Sequence, residues 1–186
     1  MDELKNKKLI ILCHTSRVGK DYLTSLDFRN NGKYDRLPNY VILKDGTIIE
    51  KLIPNKSSNF LNDKKLDNQS IVICLENLGW VSKNSLSKTY SNWLGDKITD
   101  VYEKKWRNKF FWDKYSDEQL KSLVELCQTL CEEFNIPKKF IGHNTKINGV
   151  EKFNGIINRS NLSEDYTDLS PAFNFVYLLE NFNDEQ

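Results

Sequence analysis

Apolar residues in this chain fall into short runs bounded by polar segments, and each run predicts a buried strand. Residues 9–13 and 70–76 are rich in Ile, Leu, Val and Cys, a composition typical of strands covered on both faces. Two runs, 39–44 and 47–52, flank Asp45-Gly46, a strong tight-turn signal, and they predict a hairpin. A further short strand is expected over 139–142, directly before a histidine.

The repeat of apolar residues changes to a helical one after Ser116. Ser116 and Gln119 have the spacing of a capping box, and apolar side chains then recur every three or four positions. This helix should end just before Pro137, because proline disfavours helix in the residue that precedes it. A last helix is expected to begin around Ser170-Pro171, with proline at a tolerated N-terminal position.

Strands that alternate with helices, together with one hairpin, predict an α/β fold with a mixed central β-sheet flanked by helices. A length of 186 residues and a hydrophobic content of 39% fit a single domain over 1–186. The net charge of +1 gives no reason to expect nucleic acid or a membrane surface as partner, and no apolar stretch can span a bilayer. Residues 1–5 lack the layout of a secretory signal, so we expect cytoplasmic synthesis, and the 4 cysteines, without a CxxC pair, fit a reduced protein.

All four tryptophans and many other aromatic residues lie within 80–115. One interpretation is a helix-and-loop layer that covers one side of the sheet. The other is a groove wall that binds a sugar or peptide polymer, with Trp93 as a candidate contact. The two interpretations are compatible.

The two histidines of the chain each close an apolar run. His14 follows 9–13, and His143 follows 139–142. Strand ends hold metal ligands rigidly, and the carboxylate of Asp168 can complete a set of three ligands. Three protein ligands and one open position are the arrangement of a catalytic zinc. The alternative is that both histidines are ordinary residues at strand ends.

Four motifs in the right order resemble those of the zinc-dependent N-acetylmuramoyl-L-alanine amidases, the type found in phage endolysins and peptidoglycan recognition proteins. They are Ile10-Ile11-Leu12-Cys13-His14-Thr15-Ser16, the hairpin at Asp45-Gly46-Thr47, the strand Ser70–Glu76, and the pair Ile141-Gly142-His143 and Thr167-Asp168-Leu169-Ser170-Pro171. The resemblance covers nearly the whole chain and implies an amidase-like fold with Zn²⁺ as cofactor.

Two departures from the family pattern concern the site. Aligned without gaps, Cys13 stands where the family has its metal-binding histidine, and His14 occupies the next position. Adjacent strand residues point to opposite faces, so only one of them can face the metal; the alignment favours Cys13, and a strand slipped by one residue presents His14. Many relatives also have a lysine where this chain has Tyr166, so Tyr166, the neighbouring Thr167 or a lysine from another loop would have to stabilise the oxyanion.

The resemblance implies hydrolysis of the amide between N-acetylmuramic acid and L-alanine in peptidoglycan. Glu76 is the candidate base, and Asn144 and Thr145 are candidates for substrate contact. The predicted partner is peptidoglycan or a muropeptide, bound by a monomer. A phage or prophage endolysin released by a holin is the expected setting. The rival hypothesis is a peptidoglycan-binding module that has lost full zinc chemistry.

Overall fold

The computed structural model describes residues 6–182; the expectations about the chain start at 1–5 lie outside this range. The strands of the described chain are β1 Leu9–His14, β2 Tyr40–Ile42, β3 Ile48–Glu50, β4 Ser70–Leu75, β5 Trp80–Lys83, β6 Tyr90–Ser91, β7 Lys97–Ile98, β8 Tyr102–Trp106, β9 Lys109–Trp112 and β10 Gly155–Asn158. The helices are α1 Gly19–Phe28, α2 Lys64–Gln69, α3 Asp117–Phe134 and α4 Phe175–Phe182, with 3-10 turns at Arg29–Gly32, Val150–Lys152 and Arg159–Asn161.

A mixed five-stranded sheet forms the centre of the protein, in the order β10-β1-β4-β2-β3. The strands β10, β1, β4 and β2 run parallel, and β3 returns antiparallel to β2. The predicted strands at 9–13 and 70–76 and the predicted hairpin are therefore confirmed. Because the four parallel strands point the same way, their carboxyl ends, including His14, meet at one edge of the sheet.

Each face of this sheet is covered by helices. On one face, Ile10, Leu12 and Ile73 pack against α3 and α4 in the largest apolar cluster. On the other face, Cys13 and Cys74 belong to a smaller cluster beneath α1. The mixed sheet flanked by helices confirms the predicted fold class. No helix within residues 6–182 is long and apolar enough to cross a membrane.

Helix α3 begins as the sequence predicts, and α4 begins later than predicted. Ser116 accepts from the Gln119 backbone, and the Gln119 side chain accepts from the Ser116 backbone, which completes the capping box. At the last helix, Asn174 caps the first turn, since its Oδ1 accepts from Tyr177 N at 3.0 Å. Helix α4 therefore starts at Phe175, and Ser170-Pro171 precede it in a turn.

The helix-and-loop interpretation of 80–115 is wrong, because this segment forms a second, antiparallel sheet in the order β7-β6-β5-β9-β8. Trp80 pairs with Trp112, which is fully buried and packs 5.4 Å from Trp106. The turn between β8 and β9 uses positive φ angles at Arg107 and Asn108 instead of a glycine. The sequence therefore lacked the usual hairpin signal at this point.

The strand predicted over 139–142 does not form, since only a single bridge joins Phe140 to Ile156. Strand β10 instead pairs with β1 along its length. The residues that lead to His143 are therefore held at the margin of the sheet, and His143 itself is exposed.

Candidate functional site

His14 is buried at the carboxyl end of β1, with 4% of its surface exposed. Its Nδ1 lies 3.1 Å from Ser16 Oγ, and its ring packs against the backbone of Gly79. Burial lowers the pKa of His14, and the nearby carboxylate of Asp168 opposes this effect. The backbone of Thr167 also raises that pKa, and Nε2 makes no hydrogen bond of normal geometry within the described chain.

Cys13 points to the opposite face of the sheet from its neighbour, as the alternation of a regular strand requires. Its Sγ lies 3.0 Å from Cys74 Sγ on the adjacent strand β4. Burial raises the pKa of the Cys13 thiol, and the hydrogen bond with Cys74 raises it further. Cys13 and His14, the two alternatives for the first metal ligand, thus lie on opposite faces of the sheet in separate environments.

Asp168 is completely buried and is neutralised by a cation that the sequence analysis did not identify. Arg159 Nε lies 3.0 Å from Oδ1 and 2.9 Å from Oδ2 of Asp168. The backbone N–H of His14 also donates to Oδ2, at 3.2 Å. Burial lowers the pKa of Arg159, but the charge of Asp168, the hydrogen bond to it and the neighbouring Cys13 and Cys74 together raise that pKa more, so the net shift is upward. A carboxylate this deep needs a cationic partner, but the burial of Asp168 is visible only in the structure, so the sequence carried no signal for Arg159.

His143 lies in an exposed turn and is held mainly through its backbone. Its carbonyl accepts from Asn158 Nδ2 at 2.8 Å and from Asn161 Nδ2 at 2.9 Å, and its ring Nδ1 accepts from Thr145 N at 3.2 Å. Asn144 donates to the Leu169 carbonyl at 3.2 Å. These contacts give the His143 turn its shape. The predicted substrate contacts of Asn144 and Thr145 stay predictions.

The predicted ligands do not fit a zinc ion in this arrangement. Among residues 6–182, no three His, Cys, Asp or Glu side chains come together closely enough to hold a metal. Cys13 faces the other side of the sheet, Asp168 is paired with Arg159, and His143 is on the surface. His14, whose Nε2 makes no hydrogen bond to a described residue, lies beside Asp168, but that carboxylate is held by Arg159. That His14 or Cys13, His143 and Asp168 form one metal site stays a prediction.

Glu76 follows strand β4, and both of its carboxylate oxygens accept from backbone groups. Oε1 accepts from Gly19 N at 2.8 Å, and Oε2 accepts from Lys44 N at 2.9 Å. Glu76 thus joins the start of α1 to the hairpin loop. This is a structural use of the carboxylate, while its role as a catalytic base stays a prediction.

The ring of Tyr166 lies 4.6 Å from the Arg159 guanidinium, in a stacking arrangement. This residue therefore helps to cover the cation that pairs with Asp168. Its expected part in stabilising an oxyanion stays a prediction.

An open groove of about 510 Å³ lies beside the carboxyl end of β1 and over α1. Its lining residues are His14, Thr15, Ser16, Arg17, Tyr22, Ser25, Leu26, Arg29, Tyr34, Phe60, Trp93 and Arg159. Trp93 is 65% exposed, and its neighbour Asn92 fixes the loop by donating to the Ser16 carbonyl at 3.1 Å. Of the residues predicted to bind substrate, Trp93 is the one that this groove includes.

The groove is cationic, because its lining contains three arginines and neither Asp nor Glu. Arg159 is paired with Asp168 behind it, whereas Arg17 and Arg29 form no ion pair with a residue in the described chain. Arg29 instead lies over the ring of Tyr34 at 4.5 Å. A groove of this kind suits a ligand that carries both flat faces and carboxylates.

Parallel strands whose carboxyl ends open onto a groove define a class of α/β proteins that bind ligands at that edge. The sequence model of one family, described as N-acetylmuramoyl-L-alanine amidase, matches residues 4–154. The chain therefore belongs to the N-acetylmuramoyl-L-alanine amidase family, and the resemblance in its motifs is confirmed. No curated protein matches the sequence.

Three solved structures illustrate the likeness of the fold. AmiD from E. coli, in complex with anhydro-N-acetylmuramic acid-L-Ala-D-γ-Glu-L-Lys, aligns with a TM-score of 0.61 and 14% identity, over 97% of this chain and 59% of AmiD. AmpDh3 from Pseudomonas aeruginosa, in complex with anhydromuramic pentapeptide, gives 0.61 and 12%, over 97% and 62% of the two chains. The amidase LysC from Clostridium intestinale gives 0.57 and 14%, over 96% and 86%. The chain thus spans about three fifths of the length of AmiD and AmpDh3.

Proposed function

We propose that this protein binds muropeptides of peptidoglycan in the groove beside β1 and does not hydrolyse them through zinc. Membership of the amidase family supports the ligand class. The structures of AmiD and AmpDh3 were obtained with muropeptides, which supports the same class. The pairing of both Asp168 oxygens with Arg159 carries the second half of the proposal, since it leaves the predicted metal ligand occupied.

The groove has the surfaces that such a ligand needs. Trp93, Tyr34 and Phe60 offer aromatic faces, which stack well on sugar rings. Arg17 and Arg29 supply charges for the carboxylates of the stem peptide. The groove volume of about 510 Å³ accommodates a disaccharide or a short peptide, and the remainder of a polymer would extend along the open side.

The second candidate function is the zinc-dependent hydrolysis of the amide between N-acetylmuramic acid and L-alanine. The family match over residues 4–154 favours it, and so do structural neighbours described as amidases. Its setting would be a cell-wall lytic enzyme such as a phage or prophage endolysin released by a holin; one neighbour from Clostridium intestinale is described as an endolysine. The arrangement of the donors within residues 6–182, with Asp168 paired to Arg159, counts against this candidate.

One experiment separates the two candidates. The purified chain is titrated calorimetrically with anhydro-N-acetylmuramyl-L-Ala-D-γ-Glu-L-Lys, and the same mixture is followed by mass spectrometry with and without added Zn²⁺. We expect saturable binding and no release of peptide in either condition. Zinc-dependent release would establish the amidase, and absence of binding would reject the groove as a muropeptide site.

A pair of variants tests whether binding uses the groove. Trp93→Ala should weaken muropeptide binding about tenfold, because stacking of an aromatic face is lost; stacking of a flat ring on an aromatic side chain is worth about 1–3 kcal/mol. Leu86→Ala is the matched control, since Leu86 is 98% exposed in the turn between β5 and β6 and does not line the groove. Equal affinity of the two variants would place the ligand elsewhere.

The oligomeric state is tested on the same samples. Light scattering should give the mass of a monomer.

A further inference from the structure

The side chain of Arg159 is held from behind and is open in front. Its Nε lies at 2.9 and 3.0 Å from the two oxygens of Asp168, a carboxylate with no exposed surface. The guanidinium is flanked by the rings of Tyr166, at 4.6 Å, and Phe60, at 5.5 Å. These contacts restrict the side chain to one arrangement before any ligand arrives.

The remaining donors of this guanidinium face the groove. Neither Nη atom of Arg159 donates a hydrogen bond to a residue that the structure describes. Neither of them is fully buried either. The side chain keeps 21% of its surface exposed and belongs to the groove lining. The Nη donors are therefore accessible from the groove.

A planar fork of N–H donors matches the two oxygens of a carboxylate better than the single oxygen of an amide. Because Asp168 and the two rings already fix the fork, little side-chain entropy is lost on binding. Asp168 balances the charge of Arg159, and Arg17 and Arg29 add two further positive charges to the same groove. The groove thus keeps a net positive field around the fork.

We propose that the Nη donors of Arg159 bind a carboxylate of a muramyl ligand. The proposal rests on the proposed function and names the group that the groove recognises. The carboxylate has two possible sources: the free lactyl group of N-acetylmuramic acid without a peptide, or the acidic groups of the stem peptide. In either case the anion lies between Arg159 and the two arginines that flank α1, Arg17 before it and Arg29 after it.

The test compares charged ligands with neutral counterparts on the unmodified protein. For the lactyl source, N-acetylmuramic acid is compared with its lactyl methyl ester. For the peptide source, anhydro-N-acetylmuramyl-L-Ala-D-γ-Glu-L-Lys is compared with the same compound after amidation of its carboxyl groups. We expect at least tenfold tighter binding of the acid in one of the two pairs, and the pair that shows it identifies the source. This preference should shrink as the salt concentration rises, because the charges are partly exposed.

A conservative variant assigns the effect to the fork. Arg159→Lys keeps the charge beside Asp168 but removes the planar pair of donors, so the preference for the acid should fall about tenfold. Arg36→Lys is the control, because Arg36 is exposed and lies outside the groove lining. If acid and neutral forms bind equally in both pairs, or if the two variants behave alike, the inference fails while muropeptide binding stands. If none of the four probes binds, the proposed function fails as well.

Discussion

Arg159 Nε lies 2.9 Å from Oδ2 of Asp168, and this carboxylate has no contact with solvent. The pair joins the turn after β10 to the segment that precedes α4, and His14 N adds a third donor to the same carboxylate. A buried ion pair of this kind contributes little net stability compared with an apolar pair, but loss of one partner leaves an uncompensated buried group.

Removal of the cation alone should therefore destabilise the protein strongly. We expect Arg159→Met to lower the free energy of unfolding by about 3–5 kcal/mol, the range for a broken buried pair, or somewhat less because Arg159 is partly exposed. Urea denaturation at neutral pH measures this change. Addition of Asp168→Leu to the first variant should recover part of the loss.

The exposed pair Lys114–Asp100 provides the comparison. Its Nζ–Oδ1 distance is 2.6 Å, shorter than that of the buried pair, yet Asp100 is largely exposed. Asp100→Asn should leave the urea midpoint almost unchanged, because water screens such pairs. A loss equal to that of Arg159→Met would contradict the importance of burial.

A substitution at Glu76 tests whether its carboxylate stabilises the fold or is kept for catalysis. Its two oxygens accept from Gly19 N and Lys44 N, so Glu76→Gln places an amide N–H₂ against a backbone donor. We expect a loss of about 1–3 kcal/mol in the free energy of unfolding, measured by urea denaturation. Glu103→Gln is a suitable control, because Glu103 is exposed on β8, at the edge of the second sheet. A variant of unchanged stability would argue that Glu76 is reserved for chemistry.

Position 79 requires glycine for two reasons: the ring of His14 lies close to it, and its backbone has a positive φ angle. A Cβ at this position would lie 2.7 Å from His14 Cε1, and φ is +74°. Gly79→Ala should therefore cost more than Gly95→Ala, where φ is +89° and nothing lies within 4 Å of the added atom. The difference in free energy of unfolding between the two variants isolates the clash, which we expect to be about 1–3 kcal/mol. Equal losses would mean that the histidine ring moves away freely.

The central sheet was predictable because its signals are local. Apolar runs at 9–13 and 70–76, the Asp45-Gly46 turn and the capping box at Ser116 each depend on residues close in sequence, and the structure confirms all of them. The second sheet was missed because its β8–β9 turn is made by Arg107 and Asn108, without glycine. Strand β10 was missed because a run of four residues, 155–158, is too short to give a periodic pattern.

The site was less predictable than the fold, because it depends on contacts between distant residues. His14 and Asp168 do come together, at 3.2 Å between His14 N and Oδ2. However, the donor in this contact is the backbone N–H of His14, and the Asp168 carboxylate forms an ion pair with Arg159. No motif marks an arginine that occupies a carboxylate in this way. Only a count of charges around a buried Asp identifies it, and that requires the structure.

The thiol of Cys131 predicts a pH dependence of stability at alkaline pH. Burial raises its pKa to about 11 from the ordinary value of 9.0. Between these values the folded protein retains a proton that the unfolded chain has lost. The contribution of this thiol to stability is therefore fully present below about pH 9 and falls as the pH rises towards 11, by up to about 1.4 kcal/mol per pH unit for one proton.

The variant Cys131→Ala tests this prediction. Between pH 9 and 11 the free energy of unfolding, measured from urea denaturation curves, should fall less steeply with pH in the variant, by up to the contribution of one proton. From pH 6 to 8, where the thiol stays protonated in both states, the wild-type and variant curves should run parallel and differ only by the cost of truncation. An identical slope above pH 9 would show that Cys131 titrates alike in the folded and unfolded chains.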